Sequence, residues 1–246
     1  AIDLYESVIK RYPKSKQATE SHMVLGLLYE SQTEFETAAN YFEKMASFPD
    51  VPQVADALFN AGSIRAALEQ YDQAIGIFET FAKKFPDTKE TPQLHLQIAE
   101  YHEKQLRPKK ALKAYDRYIK LFKKPQAEMI PEVYLRKALI EQKKGGKRAR
   151  RLATDQLKKS SKAFKRLPDE AKEKPKVRCT QARVKFLLAE YAYEDFEAIK
   201  IEFPERKLKK SLVKKAELLT KTGELFFEVL DIKSYDVSAG ALYRIG

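Results

Sequence analysis

The chain has 246 residues and is poor in the groups on which most site chemistry depends. Cys179 is the one cysteine, which excludes an internal disulfide and any thiolate cluster for zinc or iron–sulfur binding. Histidine occurs three times, as His22, His95 and His102, too few for most acid–base or metal constellations. His95 and His102 stand two helical turns apart, roughly 10.5 Å along a helix axis, so one metal ion does not reach both. Glycine is scarce at 8 residues. The pair Gly145-Gly146 lies among basic residues but lacks the Gly-x4-Gly-Lys-Ser/Thr spacing of a phosphate cradle, and reads as a turn. No apolar run approaches the roughly 20 residues of a membrane-crossing helix. Cys179 has no histidine beside it in sequence to activate it, and the carboxylates show no enclosed pair. The sequence therefore calls for no catalytic residue, no cofactor and no metal.

What it does contain is a repeat. Ala1-x3-Tyr5-x2-Val8, Ala38-x3-Phe42-x2-Met45, Ala74-x3-Phe78-x2-Phe81 and Ala111-x3-Tyr115-x2-Tyr118 recur with alanines 37, 36 and 37 residues apart. An aromatic and a proline follow three of them, as Tyr12-Pro13, Phe48-Pro49 and Phe85-Pro86, with Phe122 and Pro125 as a displaced fourth copy. Steps of four and three place the alanine and both large residues on one helix stripe. The small residue admits a neighbouring helix, and proline ends the hydrogen-bond ladder. Upstream of each lies a partner stretch: Leu25-Gly26-x2-Tyr29, then Ala61-Gly62, then Ile98-Ala99-x-Tyr101. With 43% hydrophobic and 33% charged residues, composition suits many amphipathic helices with wet outer faces.

A Leu-Gly-x2-Tyr helix followed by an Ala-x3-Phe helix and a proline resembles the tetratricopeptide-repeat family, strongly over residues 1–124. The resemblance implies an all-α fold: an α-solenoid of antiparallel helix pairs wound into a right-handed superhelix, acting as a non-enzymatic scaffold for protein partners. The period exceeds the usual 34 residues by two or three. The endings Tyr12-Pro13-Lys14-Ser15 and Phe85-Pro86-Asp87-Thr88 resemble those of bacterial envelope members, of the outer-membrane-assembly lipoprotein and Tol-Pal coordinator type. That likeness implies a periplasmic or outer-membrane-associated protein; the competing expectation is a cytoplasmic adaptor for a small regulatory GTPase or a motility or polarity protein.

Over 125–246 the spacing drifts, and divergent helical repeats that continue the same solenoid are expected. The segments are Pro131–Lys144, Lys147–Leu167, a helix or helix pair over Lys176–Phe203, and Leu208–Leu230. Residue 1 falls at the alanine of a second helix, and Leu242-Tyr243-Arg244-Ile245-Gly246 matches the Leu-Gly half of a new first helix. A fragment of a longer array is expected, with Tyr5, Val8, Leu242 and Ile245 on exposed apolar faces that favour end-to-end self-association.

The family resemblance implies that the first helices line a concave groove for peptides or partner helices. By position relative to Leu-Gly, the lining residues are Glu20, Met23, Leu27 and Glu30, then Asp56, Phe59, Asn60 and Ser63, then Gln93, Leu96, Glu100 and Glu103. The groove is acidic with apolar anchors; Asn60 alone does not make the carboxylate clamp of chaperone-binding members. Charge is unevenly spread, at net −7 over residues 1–103, +17 over 104–176 and +2 over 177–246. The densest basic stretch, Lys143, Lys144, Lys147, Arg148, Arg150, Arg151, Lys158 and Lys159, reads either as a solvated helix face or as an anion patch for lipid or nucleic-acid phosphate within the segment 104–176. Of these ligands nucleic acid is the least favoured, because no binding motif accompanies the charge; peripheral membrane contact stays open.

Overall fold

The computed structural model describes residues 1–48, 52–124, 126–201 and 203–245, apart from the side chains of Pro52, Arg206 and Asp236. Pro49 and Pro125, expected as helix punctuation, and Gly246, expected as part of a terminal repeat match, lie outside the described residues. Among the described residues there are thirteen α-helices, two short 3-10 turns and no strand. The chain forms two compact units, Ala1–Tyr118 and Ile119–Gly246.

The helices of the first unit are α1 (Ile2–Arg11), α2 (Lys16–Ser31), α3 (Phe35–Lys44), α4 (Pro52–Ala67), α5 (Tyr71–Lys84), α6 (Thr91–Lys104) and α7 (Pro108–Phe122, of which the residues to Tyr118 belong here). From α1 to α6, each packs on the next in the chain. The contact that sets their spacing is the one the small residues foreshadow. Phe42 of α3 lies against the backbone of α2 at Gly26, where an added Cβ would stand 2.3 Å from the ring. Phe78 of α5 meets Gly62 of α4 in the same way, at 2.1 Å. The third copy has Ala99, which leaves room for a methyl, sixteen residues before the fully buried Tyr115. The Tyr115 hydroxyl donates a hydrogen bond to Glu103. Ala38, Ala74 and Ala111 are fully buried, as the stripe requires. Tyr5 and Val8 of the first copy are half-buried.

Two kinds of junction delimit the pairs. Between a second helix and the next first helix, the Ser15 side chain accepts a hydrogen bond from the Ala18 amide at 3.0 Å, capping α2. The Thr91 hydroxyl donates to the Phe85 carbonyl at 2.6 Å and ties the start of α6 to the end of α5. Inside each pair the turn uses one left-handed residue, Thr33, Glu69 or Leu106, at φ of 64°, 59° and 54°. These residues recur with the repeat, yet none is glycine, so composition gave no hint of them. A further feature missed in the sequence is Arg65, which is buried on α4. It reaches α3 through Glu43 at 2.5 Å and Asn40 at 2.7 Å, and also holds Gln70 at 2.8 Å. Its charge is paired and its donors are used, the condition under which an interior cation is tolerated.

The second unit contains α8 (Ile130–Gln142), α9 (Gly146–Lys165), the single turn α10 (Asp169–Lys172), α11 (Pro175–Glu197), α12 (Glu205–Asp231) and α13 (Tyr235–Ile245). Gly145 and Gly146 form the expected turn, at φ of 70° and 81°, where a side chain would be strained. Helices α8 and α9 pack closely, and the fully buried Ser160 donates to the Pro131 carbonyl at 2.7 Å. Ala153 and Leu157, both fully buried, keep the small-x3-large step with leucine in place of the aromatic. They join Leu135, Ala138, Val184 and Tyr191 in one cluster. A second cluster gathers Ala189, Phe226, Val229 and Ala241, with Ile245 half-buried against it and Leu242 exposed. The segment read as a helix or helix pair up to Phe203 is one helix that stops at Glu197. Glu194, Asp195 and Glu197 crowd its last turn, where carboxylates oppose the negative end of the helix dipole.

These contacts predict opposite outcomes for two glycines of neighbouring helices. Gly62→Ala would force Phe78 out of place and cost about 1–3 kcal/mol. Gly76→Ala, with nothing within 4 Å of the new methyl, would stabilise by about 0.5–1 kcal/mol through helix propensity. Leu106 is 86% exposed and left-handed, so Leu106→Gly removes strain without removing packing and stabilises by about 0.5–1 kcal/mol. Thermal and urea unfolding of the three variants checks both statements.

Candidate partner-binding face

On α2, Ala18, Ser21, His22, Leu25 and Gly26 form the buried stripe. Glu20, Met23, Leu27 and Glu30 fall on the opposite side of the same helix, as the 3.6-residue period places them. On α4, Val54, Ala57, Leu58, Ala61 and Ile64 face the core, and Asp56, Phe59, Asn60 and Ser63 face away from it. The helical period thus assigns the residues to two common faces, and accessibility separates those available to a partner from those that are not. Leu27 is 47% and Phe59 38% exposed, both large apolar groups standing in water. Glu20, Asp56, Ser63 and Gln93 are exposed, while Glu30, Asn60 and Glu100 are half-buried. Glu20 lies 3.8 Å from Lys16, a solvated pair worth little.

Three of the expected lining residues are engaged elsewhere. Leu96 is only 3% exposed, so it serves the interior and is not an open anchor. Met23 packs partly against the main core. Glu103 accepts the hydrogen bond of Tyr115 and holds the third helix pair together. The helical period correctly put these residues away from the motif stripe, but burial on a helix depends on everything packed around it, which the period does not report.

The basic stretch divides in a similar way. Lys143, Lys147, Arg148, Arg151, Lys158 and Lys159 are exposed on or beside α9. Lys144 also reaches solvent but pairs with Glu141 at 2.7 Å. Arg150 does not belong with them. It donates to the Tyr191 carbonyl, pairs with Asp195 at 2.8 Å and lies over the Tyr191 ring at 5.1 Å, fastening α9 to the end of α11.

The histidines lie in or beside the core. His22 is buried between Tyr41 and Phe48, at ring separations of 5.9 and 5.6 Å. His95 and His102 both line a cleft of about 440 Å³ with Asp72, Glu79, Lys113 and Arg117. Among the described residues no group of histidine, cysteine and carboxylate side chains is arranged to hold a metal ion. Burial lowers the pKa of all three histidines, and Lys44 adds to the effect at His22, Arg117 at His95, and Lys110 with Arg107 at His102.

A family description, tetratricopeptide repeat, matches residues 56–88, the span that holds the Gly62–Phe78 contact. The chain carries a tetratricopeptide repeat. The repeat's Gly–Phe contact recurs at Gly26 and Phe42, so the same unit of structure precedes the matched span. Solved structures similar to this chain include that of MamA, at 20% identity over 71% of this chain and 85% of that one, with a TM-score of 0.46. YrrB, described as a TPR protein with an unusual peptide-binding site, is 16% identical over 92% and 93% of the two chains, with a TM-score of 0.43. BtubC from P. vanneervenii is 10% identical over 89% and 87%, with a TM-score of 0.48. No curated protein matches the sequence.

The histidines generate a pH prediction. Each is held below its usual 6.5 when folded, so the unfolded chain binds more protons below that pH. Their contribution to stability is complete above about pH 6.5 and is lost as pH falls toward the lowered folded values. The melting temperature is expected to drop as pH falls below about 6.5, and His22→Gln to flatten part of that slope. An equal slope in the variant would remove His22 from the account.

Proposed function

We propose that this chain is a non-enzymatic protein-interaction scaffold that receives an apolar, basic segment of a partner on the outward faces of α2 and α4. The observation that carries this reading is the exposure of Leu27 and Phe59, two large apolar side chains on the sides of first helices that the repeat does not use for its own packing. Glu20, Glu30 and Asp56 stand on the same faces and favour a cationic segment, while the apolar pair supplies the anchoring area. An amphipathic helix or an extended peptide meets both requirements.

We further place the protein in assembly of a bacterial cell-envelope complex. Support for that placement is the pair of helix endings Tyr12-Pro13-Lys14-Ser15 and Phe85-Pro86-Asp87-Thr88. Fractionation of cells expressing the full-length protein tests it; recovery in the cytosol would instead favour the adaptor reading.

For the binding face, a photo-crosslinking residue at position 59 identifies the partner, and calorimetry then measures the affinity. Leu27→Ala with Phe59→Ala is expected to weaken binding by about 2 kcal/mol or more. Reversal of Glu20 and Asp56 is expected to weaken it in a salt-dependent manner. Unchanged affinity in the Leu27/Phe59 variant would remove the site from this face.

A further inference from the structure

The second unit holds a cavity of about 280 Å³ whose charged lining has one sign. Lys159 and Lys162 of α9 and Arg166, the residue that caps its end, line the cavity with Lys123, which follows the end of α7. Lys159, Lys162 and Arg166 are spaced by three and four, and Arg166 keeps right-handed helical backbone angles, so they fall on one stripe. All four are exposed, and among the described residues the cavity lining contains no carboxylate. Among the described residues no hydrogen bond or ion pair engages their side chains, in contrast to Lys144, Arg150, Lys172 and Lys174, each of which has a carboxylate partner. The floor is apolar. Ile130 and Leu167, both buried, line it with Tyr134, and Ala127 and Ala163 are small side chains in the same lining.

Four uncompensated cations around an apolar recess repel one another and create a concentrated positive potential. A bound anion removes that repulsion. An apolar group carried by the anion gains burial on the floor. From this juxtaposition we infer that the cavity is a docking pocket for an acidic peptide segment of a protein partner, with one aromatic or aliphatic side chain seated on Ile130 and Leu167 and flanking carboxylates held by Lys123, Lys159, Lys162 and Arg166. The recess decides between a peptide and a membrane. A bilayer surface would meet the rim cations but leave the recessed floor unfilled, and the volume suits one large side chain, not the paired acyl chains of a lipid. The pocket is separate from the face on α2 and α4 and takes a partner segment of the opposite charge, so one site can fail while the other stands.

The test uses fluorescein-labelled peptides of Glu and Asp with a single central Phe, Leu, Ala or Gly, and fluorescence anisotropy on the whole chain. The Phe and Leu peptides are expected to bind about tenfold or more tightly than the Gly peptide, the gain of burying one large apolar side chain. Lys159→Glu with Lys162→Glu should weaken the Phe peptide about tenfold or more. Lys147→Glu with Arg148→Glu, exposed on α9 but outside the lining, should change it by less than about threefold. The substituted side chains are exposed, and an unchanged circular dichroism spectrum verifies that each variant folds. No binding, equal binding of all four peptides, or equal effects of the two double reversals would overturn the proposal. Sedimentation with phosphatidylserine vesicles gives the remaining outcome: vesicle binding that Lys159→Glu/Lys162→Glu abolishes, without preference among the peptides, would overturn it in favour of a membrane surface.

Discussion

The close approach of an aromatic ring to a helix backbone is the contact on which the first unit depends. Phe42 against Gly26 and Phe78 against Gly62 leave no space for even one methyl group. That contact brings the two helices of a pair near enough for the alanine stripe to interlock, and it fixes the side of each first helix that must be buried. The opposite side is thereby left for water or a partner. The exposure of Leu27 and Phe59 is thus a consequence of where the glycine sits, because a helix committed to its partner along one stripe displays whatever lies half a turn away.

Polar contacts refine this arrangement. Arg65 joins α4 to α3 through Glu43 and Asn40, and Arg150 joins α9 to α11 through Asp195 and the Tyr191 carbonyl. Each arginine uses its planar donor fork to bridge two helices, a task that a lysine performs less well. The cations around the recess in the second unit have no such partners among the described residues. The same excess of basic residues over 104–176 therefore contains two physically different populations, one spent on holding helices together and one left with its charge unbalanced.

The repeat, the helical class, the buried alanines and the turn at Gly145-Gly146 were legible in the order of residues, because each follows from a local rule: a period of 3.6, a small residue for close approach, or a glycine at positive φ. The left-handed turns at Thr33, Glu69 and Leu106 obey a local rule as well, but the residues there are not those that favour the conformation, so no signal marked them. Of the twelve side chains assigned to the groove, the period placed them away from the motif stripe, yet Leu96 is buried, Met23 half-packed and Glu103 bound to Tyr115.

What the sequence determined by itself was the repeating helix pair and the side of each first helix that its own partner covers. Availability was decided by tertiary structure, because whether a side chain meets solvent depends on atoms distant in the chain. That is why Arg150 left the basic patch and why Lys123, Lys159, Lys162 and Arg166, scattered over more than forty positions, came to share one recess. Charge along a chain is additive, but the potential at a point depends on which charges are neutralised nearby, and only the packed helices set those distances.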